Sequence, residues 1–314
     1  MKLYRMKRCI LFNATLWVCC FLLFCGSAQG QARQEVSNPE LPEVSDEVFQ
    51  SIVQFYEYDR DIPLEARVLK KEELEHGNRE KILFKGVNNT RVPAYLTIPK
   101  TGAKSHPVVV IVDGIYGSKE RWFDDESWPR GGVMTASLLR AGYAVLILDA
   151  AYHGERTSEY DYVSPPYLFT LPNEFRHMVI QTATEHRRAM DYLSTRSDID
   201  TSRIGMMGLS MGALITFELS SIDPRIKTAV AGVVPPLRLK VLEPVDVCTF
   251  ANHVRCGSFL MFMGNEDSYY SMEEAREIFS RIPISQKEFV EYDSGHQPPV
   301  EYIKKVTNWF EKHL

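Results

Sequence analysis

The stretch Arg203-Ile204-Gly205-Met206-Met207-Gly208-Leu209-Ser210-Met211-Gly212 decides how the rest of the chain is read. It is an apolar, strand-like run that ends on a serine with a glycine two residues away on either side. A Gly-x-Ser-x-Gly pattern serves a sharp turn from a strand into a helix. The serine there sits at strained dihedrals, and side chains at Gly208 or Gly212 would collide with neighbouring backbone. Ser210 is therefore a candidate nucleophile, and the surrounding chain is searched for the partners it needs.

Around this stretch the sequence alternates short apolar runs with longer helical ones, the pattern of parallel strands buried on both faces. The strand-like runs are 107–112, 143–148, 203–209, 226–234, 258–263 and 287–292. Helical periodicity occupies a stretch ending near Arg140, then 174–193, 212–219, 272–281 and 300–314; in the last, Ile303, Val306, Phe310 and Leu314 make the inward stripe. Upstream, 66–74, 80–87 and 91–98 read as three antiparallel strands. Residues 46–58 place Val48, Phe49, Ile52, Val53 and Tyr56 at helical spacing behind Ser45 as an N-cap. The fold class is α/β: an open, twisted, mostly parallel sheet with antiparallel N-terminal strands and helices on both faces. Residues 46–314 are expected to form one domain, and the site belongs at the carboxyl ends of the strands.

A serine hydroxyl needs a base to take its proton, and that base needs an orienting carboxylate. Asp267 directly follows the strand 258–263, and His296 follows the strand 287–292, both in loops on the edge that carries Ser210. Glu266 and Asp293 are rivals for the acid role, and Asp267 has a plainer alternative as the cap of the helix that begins near Met272. His253 precedes a strand and His313 ends the chain, so neither competes well with His296. The oxyanion of a tetrahedral intermediate requires two backbone N–H donors. Met211 supplies one, and Ile115, with Tyr116 second, supplies the other from the loop Asp113-Gly114-Ile115-Tyr116-Gly117-Ser118.

With these residues placed, the chain resembles the α/β-hydrolase superfamily, in its dienelactone-hydrolase-like and acyl-peptidase-like esterase branch, from about residue 50 to the C-terminus. The resemblance is carried by Tyr58-Asp59-Arg60 to Leu64, the Asp149–Arg156 segment, Asp200-Thr201-Ser202-Arg203-Ile204 and Gly295-His296, besides the serine motif. It implies Ser210, Asp267 and His296 as the catalytic triad, Ile115 and Met211 as the oxyanion hole, and cleavage of carboxylic esters through an acyl-enzyme. A peptidase or a sugar-ester deacetylase on the same triad is the alternative, and a non-catalytic binding protein is the alternative of another class. The chain departs from the family in one place: Asp113-Gly114 stands where His-Gly is usual. His153, beside Asp149, reads as a turn-stabilising residue rather than a second catalytic histidine.

Specificity must come from loops on this scaffold. Tyr116, Trp122, Phe123 and Trp128, with Tyr152, Tyr160, Tyr162, Tyr167 and Phe169 of a second insertion, suggest an apolar, aromatic pocket, with Tyr116, Trp122 and Tyr152 as its lining candidates. The 235–255 segment is short for a cap domain, so an accessible cleft is expected, suited to a small acyl group or an exposed ester on a larger molecule. No cluster of metal-ligand spacing and no Gly-rich dinucleotide fingerprint is present, so no metal or cofactor is expected.

The N-terminus has a different character. Lys2, Arg5, Lys7 and Arg8 precede an apolar run to Phe24, followed by Gly26-Ser27-Ala28-Gln29-Gly30, the pattern of a signal peptide over 1–30. A polar spacer, 31–45, follows. The run is shorter than the roughly 20 residues of a spanning helix, so a stable membrane anchor is not expected. Leu22-Leu23-Phe24-Cys25 resembles a lipoprotein box except for the bulky Phe24, which leaves lipidation at Cys25 as a second route. The expected location is exported, periplasmic or secreted. Loss of 1–30 removes four cations and takes the formal net charge from −5 to −9, which disfavours nucleic-acid partners. Cys248 and Cys256 would then be the cysteines of the mature body, read either as a disulfide in an oxidising compartment or as two free thiols.

Overall fold

The computed structural model describes residues 41–160 and 170–314. The predicted export segment 1–30, most of the spacer, and Tyr162, Tyr167 and Phe169 lie outside the described residues. The strands are β1 (Arg67–Glu73), β2 (Gly77–Lys85), β3 (Arg91–Pro99), β4 (His106–Val112), β5 (Ala144–Leu148), β6 (Ile199–Leu209), β7 (Ile226–Gly232), β8 (Ser258–Gly264) and β9 (Lys287–Tyr292). They form one nine-stranded sheet in the order β1-β2-β3-β5-β4-β6-β7-β8-β9. The pairings from β1 through β3 to β5 are antiparallel and all the others are parallel.

The apolar runs have a direct structural cause. Along β4, Val108, Val110 and Val112 enter one core while Val109 and Ile111 enter the other; along β8, Phe259, Met261 and Met263 alternate with Leu260 and Phe262 in the same way. Each strand therefore needs apolar residues on both faces, and the period-2 signal is hidden inside a continuous run. One face is covered by α1 (Asp46–Val53), α3 (Pro172–Leu193), α4 (Met211–Ile222), α5 (Val247–Phe250) and α6 (Met272–Arg281). The opposite face is covered by α2 (Gly131–Arg140) and α7 (Glu301–His313). Strand β1 is the exception in exposure, since six of its seven residues are exposed on a sheet edge.

The elements follow the sequence with small shifts at their ends. The N-terminal helical stretch stops at Val53 and continues as a 3-10 turn over Gln54–Tyr56, and Ser45 caps it by accepting from the Val48 N–H at 3.3 Å. Helix α3 begins at Pro172, two residues before its expected start, because proline is well suited to the first helical turn. Cys248 and Cys256 are both free and buried, which settles the two open readings in favour of thiols. Burial pushes the Cys256 thiol up to about 12, and Cys248 is raised as well. Among the described residues, no helix is long and apolar enough to cross a membrane.

What positions the site is the direction of chain crossing. After β4 the chain moves to one side for β5, then returns to the other side for β6. In an open α/β sheet, a reversal of this kind leaves a crevice at the carboxyl ends of the two strands. Ser210 follows β6, and the loop with Ile115 follows β4.

Candidate active site

The turn between β6 and α4 holds Ser210 at φ 57°, ψ −119°, a conformation that side-chain-bearing residues seldom adopt. Crowding explains the flanking glycines. A Cβ on Gly208 would lie 2.1 Å from the Gly212 carbonyl oxygen, and one on Gly212 would lie 2.1 Å from the Val112 oxygen. The Ser210 N–H donates to the Gly232 oxygen at 3.0 Å, which fastens the turn to β7.

The loops after β8 and β9 bring the other two residues to it. Asp267 Oδ2 lies 2.7 Å from His296 Nδ1, and His296 Nε2 lies 2.9 Å from Ser210 Oγ. The second carboxylate oxygen of Asp267 accepts the Tyr269 N–H at 3.0 Å. The Asp267 side chain is fully buried, while the imidazole is one-quarter exposed. The two loops are laced together: Asn265 N–H donates to the Tyr292 oxygen at 3.0 Å and Glu266 N–H to the Ser294 oxygen at 2.9 Å. Gly264 permits this approach, since a Cβ there would lie 2.3 Å from the Ser294 and Gly295 oxygens. The rivals for the acid role, Glu266 and Asp293, are both exposed, and Asp293 accepts from Asn265 Nδ2 at 2.7 Å. Helix α6 is capped by Ser271 in a capping box with Glu274, so Asp267 is not its cap.

Met211 is the first residue of α4, where a helix N–H has no intrahelical acceptor. Ile115 lies in the loop after β4. Among the described residues neither amide has a hydrogen-bond partner, and both residues line the same cavity as Ser210 and His296. Gly114 abuts the serine, since a Cβ on it would lie 3.4 Å from Ser210 Cβ.

That loop is held by buried charge. Asp113 accepts from the Gly114 N–H at 2.8 Å and the Ser118 N–H at 3.0 Å, and burial raises its carboxyl to about 6. Lys119 donates its N–H and its Nζ to Asp149, at 2.9 and 2.7 Å, and the Nζ also reaches Glu120 and Glu155. Burial is the largest single influence and opposes the Lys119 charge, but the Asp149 carboxylate and the hydrogen bonds to Asp149, Glu120 and Glu155 together outweigh it and hold the ammonium's pKa above its usual value. Glu120, Asp149 and Glu155 converge closely enough to hold a metal ion, and the Lys119 ammonium already bonds to all three. His153 stabilises the following turn through the Ala151 oxygen, 2.8 Å from its Nδ1, and not through Asp149; burial lowers its pKa to about 4.

The cavity over Ser210 measures about 500 Å³ and is mostly apolar. Among its lining residues are Tyr116, Trp128, Phe175, Leu214, Tyr269 and the run 235–239. Tyr116 belongs to the lining as expected, but Trp122 and Tyr152 do not. Trp122 is fully buried in the core beneath α2 and α7, because the 3-10 turn Lys119–Phe123 sends it inward while Arg121 faces the cavity. Tyr152, at φ 67°, packs on the opposite core and against Tyr160, with ring centroids 4.9 Å apart. Three contributors lacked a sequence signal: Leu214, one turn into α4; the run 235–239 after β7; and Tyr269, whose ring meets His296 edge-on at 4.7 Å. Of these, Tyr269 lies closest in sequence to a candidate residue, two positions beyond Asp267.

Comparison with known proteins follows the same lines. The chain is similar to acetyl xylan esterase from Paenibacillus sp. R4, with a TM-score of 0.69 and 20% identity over 88% of this chain and 97% of that one. It is also similar to acetyl xylan esterase 1 from Thermoanaerobacterium sp. JW/SL YS485, with a TM-score of 0.67 and 17% identity over 87% and 95% of the two chains. At these identities what is shared is the fold. YtaP of Bacillus subtilis (strain 168) is 27% identical over 173 residues, which span 54% of this chain and 56% of that relative's length. The family model for the dienelactone hydrolase family matches residues 92–289, well over half of the chain, and the chain belongs to that family.

Proposed function

We propose that the chain is a serine hydrolase of carboxylic esters acting through an acyl-enzyme on Ser210. The observation that carries this reading is the hydrogen-bonded line from Asp267 through His296 to Ser210, opening into an apolar cavity. In it, His296 Nε2 takes the Ser210 proton as Oγ attacks the ester carbonyl, and Asp267 fixes the ring and supports the imidazolium. The N–H groups of Met211 and Ile115 receive the oxyanion. His296 then returns the proton to the departing alcohol, and water repeats the cycle to free the acid. Membership of a hydrolase family supports the same reading.

A saccharide as the alcohol half is the second reading. It is favoured by Tyr116 and Tyr269, each about half exposed at the cavity, and by fold similarity to proteins described as acetyl xylan esterases. Turnover of p-nitrophenyl acetate and butyrate by the purified chain tests the leading reading. Ser210→Ala is expected to lower kcat by at least about 10⁴-fold and to abolish labelling by a fluorophosphonate. Undiminished turnover in that variant overturns the assignment. Faster release of acetate from acetylated xylan than from simple esters favours the saccharide reading. Export through residues 1–30 is part of the proposal and is checked by mass spectrometry of the mature N-terminus, where a diacylated Cys25 would replace secretion with lipid anchoring.

A further inference from the structure

Asp113 ends up beside the candidate site without touching any member of the proposed triad. It is 6% exposed, and its two oxygens are spent on the loop that follows it. Oδ1 accepts the Gly114 N–H at 2.8 Å and Oδ2 accepts the Ser118 N–H at 3.0 Å. The same turn is closed internally by the Gly117 N–H on the Gly114 oxygen at 3.1 Å. One carboxylate thus ties both ends of the segment that contains Ile115 and Tyr116.

The fit is reciprocal. A Cβ on Gly117 would lie 2.0 Å from Asp113 Oδ2, so glycine there is what makes room for the carboxylate. Tyr116 is held at φ 64°, a left-handed conformation that a free loop would leave. Beyond Ser118 the chain is fixed again, by the Lys119 N–H on Asp149. With the Gly114, Gly117 and Ser118 N–H groups all satisfied within the loop, those of Ile115 and Tyr116 are left without partners among the described residues. This is the loop that abuts Ser210.

Resting on the serine mechanism proposed above, we infer that Asp113 is a positioning residue: its carboxylate holds the 114–117 turn in the shape that presents the Ile115 N–H to the oxyanion. An oxyanion donor contributes only if it is preset, since a loop that must reorganise during the reaction gives back the electrostatic gain. Asp113 acts on the donor and not on the substrate. Its removal therefore weakens transition-state binding and leaves ground-state binding nearly intact.

The test compares the purified full chain with Asp113→Asn, Asp113→Ala and Gly117→Ala, reading kcat and KM for p-nitrophenyl acetate and the inhibition constant of an alkyl trifluoromethyl ketone, which mimics the tetrahedral intermediate. Asp113→Ala is expected to lower kcat about 10²-fold with KM changed by less than about threefold, and to weaken the ketone by a similar factor to kcat. Asp113→Asn keeps one acceptor and the side-chain volume, so it folds where the alanine variant fails, and an effect of about 10-fold is expected. Gly117→Ala pushes on the carboxylate from the other side and should reproduce the same split. An unchanged kcat in Asp113→Asn and Asp113→Ala, or a loss shared equally by KM and the ketone constant, overturns the inference while leaving Ser210 in place. Turnover that survives Ser210→Ala overturns the mechanism itself, and the inference with it.

Discussion

Two turns meet over the candidate nucleophile, and they are built on different physics. The turn from β6 into α4 is shaped by sterics: two glycines let backbone approach backbone to distances no side chain tolerates, and apolar cores clamp both flanking elements. The loop after β4 is shaped by charge: Asp113 binds it from within, and the Asp149–Lys119 pair pins its far end, all fully or almost fully buried. The first kind of order is rigid and leaves a motif in the sequence. The second depends on ionised groups held out of water, so it is sensitive to single substitutions that leave no gap in the packing.

The contrast can be broken at either end. The largest effect is expected from Gly212→Ala, whose Cβ must displace the Val112 backbone; a loss of about 4 kcal/mol or more in urea unfolding is expected, or failure to accumulate folded protein. Retained stability would show that β4 and the turn are looser than the crowding implies. Lys119→Met keeps volume but strands Asp149 in the core, and roughly 3–5 kcal/mol should be lost. If urea unfolding finds less than about 1 kcal/mol, the loop is not organised by buried charge. The smallest effect has the opposite sign: Ser210→Gly relieves the strained dihedrals and should raise stability by about 1 kcal/mol over Ser210→Ala while leaving the chain inactive. Equal midpoints for the two variants would remove strain from the account of the turn.

The same contrast governs how much was legible in the sequence. Gly208 and Gly212 are demanded locally, so the turn, its strand and its helix could be read directly, and Asp267 and His296 followed from chain order and strand ends. The structure brings these three side chains together as the sequence suggested. Lining residues were harder because facing, not type, decides them. Trp122 and Trp128 share a loop and a chemistry, yet a 3-10 turn buries the first in the core and leaves the second 5.5 Å from the His296 ring. The run 235–239 carries no motif; it lines the cavity only because β7 delivers it there. Nothing local in the sequence marks Lys119 as the partner of a carboxylate thirty residues away.

The charge on Asp113 also couples the loop to protons. Burial is what raises the carboxyl, to about 6, against the pull of Arg121, whose Nη1 lies 3.7 Å away; Tyr302, itself buried, also feels the carboxylate's charge. A carboxylic acid whose pKa is higher in the folded chain than the ~3.9 of an unfolded one makes its full contribution to stability below about pH 4 and loses it as pH rises through about 6. The difference corresponds to about 3 kcal/mol. Between those values folding takes up a proton at this position, and above them the loop is ionised at the expense of the fold. The chain thus keeps its anionic loop at neutral pH by giving up stability it would have as a neutral acid.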